Sequence, residues 1–245
     1  MPTASSADRA FDVPSSVRAA MVVLGFVPVI HLTAVLTPVV LALAGGRGWL
    51  LALALGILYL LPPLMVRLGT WLWPLPVGEV DLASPAFLRW WFTAQCQIIF
   101  ARLPWLEELL RLVPALYSVW LRLWGAKIGA LAYWSPGVTI LDRSLVHIGD
   151  RVAFGAGTRL IPHASAPMPG GGHVALYLAP ITIGSDALVG AYSTLLPGCV
   201  VAPGEITPPF RTIHAGTRVE GGRRSRLPEL SRTGSADASV TRPHV

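Results

Sequence analysis

The chain has 245 residues, carries 19 Lys and Arg against 13 Asp and Glu for a net charge of +6, and is 53% apolar with only 13% charged residues. That balance falls outside the range of ordinary soluble domains and points to a membrane. Two distant cysteines, Cys96 and Cys199, speak against a disulfide framework or a cysteine metal site, and basic and aromatic residues do not interleave into a nucleic-acid surface.

Residues 1–16 read as an N-terminal tail. Residues 17–73 read as a transmembrane helical hairpin: only Arg18 is ionised between Val17 and Ala44, and no charge falls between Trp49 and Val66. Each run is long enough to cross a hydrocarbon core of about 30 Å. Gly45-Gly46-Arg47-Gly48 is the turn between them, while Pro28, Pro38 and Pro62-Pro63 predict kinks or a re-entrant hairpin. A cleavable signal is the competing reading of the first run, weakened by the acidic Asp8 and Asp12. Residues 74–125 mix Trp90, Trp91, Phe92, Phe100 and Trp105 with Arg89, Arg102, Glu107 and Arg111. This pattern predicts amphipathic helices that either lie at a membrane interface or pack on their neighbours in the chain.

From residue 126 to 222 the period changes. An aliphatic or aromatic residue recurs every six positions at Ile148, Phe154 and Leu160, and again at Ile183, Val189, Leu195 and Val201, usually followed by a small residue such as Gly149, Gly155, Gly184 or Gly190. A helix would repeat its apolar face at three and four residues, and Pro136, Pro162, Pro180, Pro197 and Pro203 would break it. Six is the period of a β-helix, in which each hexapeptide makes one short strand and one turn, with the small residue letting the chain bend.

The stretch from about Ala126 to Gly222 resembles the hexapeptide-repeat acyltransferases. The resemblance rests on Ile183-Gly-Ser-Asp-Ala-Leu-Val-Gly-Ala-Tyr-Ser-Thr-Leu-Leu-Pro-Gly198, on Val201-Ala-Pro-Gly-Glu-Ile-Thr-Pro-Pro209 and on Ile213-His-Ala-Gly216. It implies a mainly β fold, a left-handed parallel β-helix, here preceded by the helical region. It also implies acetyl-CoA or a longer acyl-CoA as co-substrate, no metal, and a homotrimer whose donor groove lies between subunits. Gly190, Ala191 and Ser193 match the turn that holds the pantetheine arm, and Arg211 or Arg218 is expected to meet the nucleotide phosphates. The final coils look shortened between Gly198 and Ile206.

The repeat is interrupted once, by a loop from Pro162 to His173 that contains His163 and Gly170-Gly171-Gly172. A loop leaving a repetitive scaffold at one point is a natural place for function. In the family that this region resembles, a histidine just beyond a coil acts as general base, which makes His163 the first candidate and His173 the second. Imidazole suits the task because it titrates near neutrality. Relatives often carry an Asp close after that histidine; here Ala164 and Ser165 follow, so the orienting group is expected from Glu205, Asp142 or a backbone carbonyl.

Residues 223–245 read as a mobile basic tail, with Arg223, Arg224 and Arg226 at its start. Taken together, the expectation is an O- or N-acyltransferase anchored in a bacterial-type inner membrane, with both termini and the β-helix on the cytoplasmic face. Membrane lipid is its expected partner, alongside an amphipathic or lipid-linked acceptor. The alternatives are a non-catalytic β-helix scaffold or degenerate synthetase-associated domain, and a γ-class carbonic anhydrase. The last needs three converging histidines, and His147, His163 and His173 lack its close paired spacing.

Overall fold

A computed structural model describes residues 13–167 and 174–227. The first apolar run is two helices, α1 (Ser15–Leu24) and α2 (Val27–Gly45), broken at Gly25-Phe26 just before Pro28. Gly46 ends α2 in the left-handed conformation (φ 64°), and the chain returns as α3 (Trp49–Tyr59) and α4 (Leu61–Leu72). Ser15–Gly45 and Trp49–Leu72 are each long and apolar enough to cross a membrane, and their side chains face outward on several sides, Ile30, Leu43 and Trp71 among them.

The α3–α4 break follows from Pro62-Pro63. Pro63 has no N–H to offer the carbonyl of Tyr59, which lies four residues back. That carbonyl instead accepts a hydrogen bond from the Trp120 indole at 2.8 Å, and the Tyr59 hydroxyl donates to the Leu106 carbonyl at 2.9 Å. The proline pair therefore ties the hairpin to the helices that follow it.

Those helices are α5 (Pro85–Arg102), α6 (Trp105–Arg111) and α7 (Leu116–Leu123). Ser84 caps α5, its hydroxyl accepting from the Phe87 N–H at 3.2 Å. One face of α5, carrying Phe87, Trp90, Thr93, Gln97 and Phe100, is buried. α5 contacts the hairpin while α7 covers the first coil of the β-region. Trp124, Tyr117 and Leu121 close the end of that core, and each is almost wholly buried.

The β-region winds as a three-sided parallel β-helix. One face is a six-stranded sheet in which Arg223–Arg226, Thr217–Glu220, Val200–Val201, Ile181–Ile183, Val146–Ile148 and Lys127–Ile128 lie side by side. The other two are four-stranded, one of Ile206–Thr207, Leu188–Val189, Ala153–Phe154 and Tyr133–Trp134, the other of Thr212–Ile213, Thr194–Leu195, Arg159–Leu160 and Thr139–Ile140. The strands run from β2 (Lys127–Ile128), β3 (Tyr133–Trp134) and β4 (Thr139–Ile140) to β16 (Thr217–Glu220) and β17 (Arg223–Arg226). Ile183 pairs with Val201 and Val201 with Val219, so one coil is eighteen residues, or three hexapeptides. Every inward position expected from the period is buried, and Ile128, Trp134 and Ile140 add an earlier coil that the period had not singled out. The final coils are not shortened: Thr207 fills the inward place six residues after Val201, and its hydroxyl accepts from the Gly190 N–H at 3.0 Å. A polar residue on the inner wall had disguised the repeat.

The glycines after the inward residues are not there to bend the chain. A Cβ on Gly155 would sit 2.4 Å from the Ala191 amide nitrogen, and one on Gly190 would sit 2.4 Å from the Pro208 carbonyl carbon, so the next coil leaves no room. Left-handed backbone falls elsewhere, at Asp186, Tyr192, Gly198, Gly204, Phe210 and Gly216, one corner residue every six positions. The basic stretch also differs from expectation. Arg223–Arg226 form β17, antiparallel to β16, so the last coil ends in a hairpin and not in a tail; residues 228–245 lie outside the described residues.

Candidate active site

In the first coil Ile128 pairs with Ile148, twenty residues on, so this turn of the β-helix carries two residues more than a regular one. They fall between Ile140 and Ile148, at a corner occupied by a short 3-10 turn, Arg143–Leu145, that starts after Asp142. One coil later the same corner is enlarged much further, between Leu160 and Ile183. Instead of the expected loop, the chain leaves as β8 (His163–Pro167) and returns as antiparallel β9 (Val174–Leu178). The outer side of β9 pairs with β1 (Gly78–Asp81), the strand between α4 and α5.

Two irregularities at one corner of neighbouring coils put Asp142 and His163 side by side. Ile140 pairs with Leu160 and the Leu141 N–H donates to the Leu160 carbonyl, which aligns the two rungs. His163 Nδ1 lies 2.5 Å from Asp142 Oδ2. With Nδ1–H donating to the carboxylate, Nε2 keeps its lone pair free to take a proton. Asp142 is 2% exposed and its other oxygen, Oδ1, accepts the Trp90 indole N–H at 2.9 Å. The Trp90 ring also meets the His163 ring edge to face, with centroids 5.0 Å apart. Burial lowers the pKa of His163, but the hydrogen bond and charge of Asp142 outweigh it, and the imidazole titrates above its ordinary value.

The residue after Asp142 is held as firmly. Arg143 is 1% exposed; its backbone N–H and one guanidinium nitrogen both donate to Gln97 Oε1, at 3.0 and 2.9 Å, and another nitrogen donates to Glu107. Phe100, Trp120 and Trp124 surround the guanidinium. Tyr117 donates to the second Glu107 oxygen at 2.5 Å and keeps its proton, because burial and the Glu107 charge push its pKa up.

Of the expected orienting groups, Asp142 is the one that reaches His163. Glu205 instead accepts from the Gly222 N–H at 3.1 Å. Nothing in the spacing of the repeat pointed to Trp90 or Gln97; the signal that was present is the two-residue excess around Asp142. His173 lies outside the described residues. His147 is half-buried on β5 (Val146–Ile148), its pKa lowered by burial and by Lys127, and His214 is exposed. Among the described residues no group of three or more His, Cys, Asp or Glu is placed to hold a metal.

The expected donor contacts are partly rearranged. Ser193 is fully buried, donates to the Pro208 carbonyl and accepts from the Arg211 N–H, so its hydroxyl serves the coil and is not open to a ligand. The Gly190 N–H is likewise engaged, by Thr207. Ala191 remains half-exposed beside a stacked, solvent-facing pair, Tyr192 and Phe210, whose centroids are 5.3 Å apart. Arg211 and Arg218 do not share a site. Arg211 lines a cleft of about 290 Å³ with Arg224, Glu205 and Thr207, whereas Arg218 is paired with Glu220 at 2.8 Å.

No protein-family model matches the chain, and no curated protein matches its sequence. Solved structures similar to it are hexapeptide-repeat acetyltransferases. A maltose O-acetyltransferase from Clostridium difficile 630 is 16% identical over 49% of this chain and 80% of its own, with a TM-score of 0.32. A hexapeptide-repeat-containing acetyltransferase from Vibrio cholerae O1 biovar eltor, complexed with acetyl coenzyme A, is 17% identical over 54% of this chain and 87% of its own, with a TM-score of 0.33. A galactoside acetyltransferase in complex with coenzyme A is 16% identical over 60% and 90%, with a TM-score of 0.27. At scores this low the likeness adds no weight to roles assigned from the site's own geometry.

Proposed function

We propose that this chain is a membrane-anchored acyltransferase that moves an acetyl or longer acyl group from a coenzyme A thioester to a hydroxyl or amine of an amphipathic or lipid-linked acceptor. The observation that carries the reading is the buried carboxylate of Asp142 on His163 Nδ1, at the one corner where the β-helix departs from its repeat.

The chemistry follows from that pair. His163 Nε2 takes the proton of the acceptor as its oxygen or nitrogen attacks the thioester carbonyl, and Asp142 stabilises the imidazolium that forms. When the tetrahedral intermediate collapses, the C–S bond breaks and the proton passes from Nε2 to the leaving thiolate. The acceptor is acylated and free coenzyme A is released. Ala191 and its neighbours, with Arg211 and Arg224 in the cleft at the end of the coils, are the candidate contacts for the donor.

The position of the corner supports the proposed acceptor class. Through β1 and β9 the arm that carries His163 is hydrogen-bonded to the chain only a few residues after α4, which ends the second candidate span. An acceptor with an apolar tail in the bilayer would present its polar head at that level. Left-handed winding, trimeric assembly and a cytoplasmic β-helix in an inner membrane belong to the same proposal; the eighteen-residue coil supports the first.

The test is purified protein in detergent or vesicles with acetyl-CoA and a lipid extract, following thiol release. Thiol release by the native chain that is lost in His163→Ala supports the reading. A native chain that binds no acyl-CoA and releases no thiol in any extract would sink it in favour of a scaffold.

A further inference from the structure

The helical half of the chain contributes directly to the geometry of the dyad. Trp90 and Gln97 are seven residues apart on α5, two turns along one buried face, and they meet consecutive residues of the β-helix corner. Trp90 donates to Asp142 Oδ1, and Gln97 Oε1 accepts from Arg143 twice. The Gln97 amide is itself oriented, since its Nε2 donates to the Thr93 carbonyl at 3.1 Å.

A carboxylate has two oxygens and a freely turning terminal torsion. Asp142 can offer Oδ2 to His163 continuously only if something occupies Oδ1. The hydrogen bond that does so comes from Trp90, and the Trp90 ring simultaneously limits the tilt of the His163 ring by edge contact. Asp142 is the charged side chain in contact with His163; the guanidinium of Arg143 is directed away, into Gln97 and Glu107.

We infer that Trp90 is a positioning residue for the His163–Asp142 pair, so that the helix following the candidate spans fixes the active geometry of the β-helix and is more than an anchor. The inference rests on the proposed dyad and extends it to a residue on another part of the fold.

The test uses full-length protein in detergent with two changes at one position. Trp90→Phe removes the N–H and part of the ring; site-specific 3-benzothienylalanine at position 90 keeps the bicyclic shape and removes only the donor. His163 ring protons are titrated by NMR, and turnover is measured with acetyl-CoA. Without the donor, Asp142 turns away part of the time. The imidazole pKa should fall below that of the native chain, and turnover should drop by about tenfold or more, with the KM for acetyl-CoA nearly unchanged. A native-like titration in the benzothienyl variant overturns the inference, because Asp142 would then be held without Trp90. An upward shift overturns it too, showing that Trp90 merely disperses the charge of a carboxylate fixed by other means. If Trp90→Phe fails to fold, the isosteric variant decides. If the native protein shows no transferase activity, the functional reading fails while the titration still decides the role of Trp90.

Discussion

At the scale of single residues, the site divides two jobs between neighbouring rungs, and the orienting group is one of the three that the sequence left open, Asp142. In the proposed reaction His163 moves the proton, while Asp142, one rung away, sets its tautomer and its affinity for that proton. His163→Ala should therefore lower turnover by roughly 10² to 10⁴, with donor binding unchanged, as measured by steady-state kinetics beside direct binding of coenzyme A. The pH dependence carries a definite sign. A base must be neutral to act, and the imidazole pKa is raised, so activity should fall as pH drops through a value above that of an ordinary histidine. In Asp142→Asn the raising contribution is lost and burial alone remains, so the acidic limb of the profile should move to lower pH while the plateau falls. A limb that stays in place would show that another group sets the proton affinity.

The elements show which physics a linear reading can reach. Hexapeptide spacing was legible because Ile183, Val189 and Leu195 face one narrow core, and so was the break at which His163 sits. Thr207 hid one repeat because hydrogen bonding to Gly190 lets a hydroxyl stand where an aliphatic group is expected. Trp90 was invisible as a site residue: its role depends on a contact 52 positions away in sequence, and on a helix its aromatic neighbours look the same. The inter-coil glycines make a testable point. Gly155→Ala should lose stability by about 1–3 kcal/mol, because the clash is with backbone of the next coil, which cannot swing aside. At the corners the reverse holds. Leu131 is left-handed (φ 56°) and 79% exposed, so Leu131→Gly should gain up to about 1 kcal/mol by relieving strain, as read from the thermal midpoint.

For the whole molecule, the buried cluster of Gln97, Glu107, Tyr117 and Arg143 joins α5, α6 and α7 to the coil that holds Asp142. Glu107→Ala leaves the Arg143 charge buried without its carboxylate and should cost about 3–5 kcal/mol, seen as aggregation or a lowered unfolding midpoint in detergent. The orientation proposal is checked separately: reporter fusions after Arg226 that work only outside the cytoplasm would refute a cytoplasmic β-helix. A particle mass in detergent that is not a multiple of three protomers would refute the trimer.

The pairing of β1 with β9 also imposes a schedule on synthesis. β1 ends at Asp81 and its partner begins at Val174. At roughly 5–20 residues per second, the ribosome delivers that partner some 5–20 seconds after β1 has emerged. For that interval a short strand has open backbone donors and acceptors, the condition in which edges recruit the wrong neighbour. Glu79 and Asp81 alternate along it with the buried Val80, and their charges discourage stacking with another copy while the chain waits. The arm can therefore be completed only after the coil that carries Asp142 and the rung that carries His163 have been made.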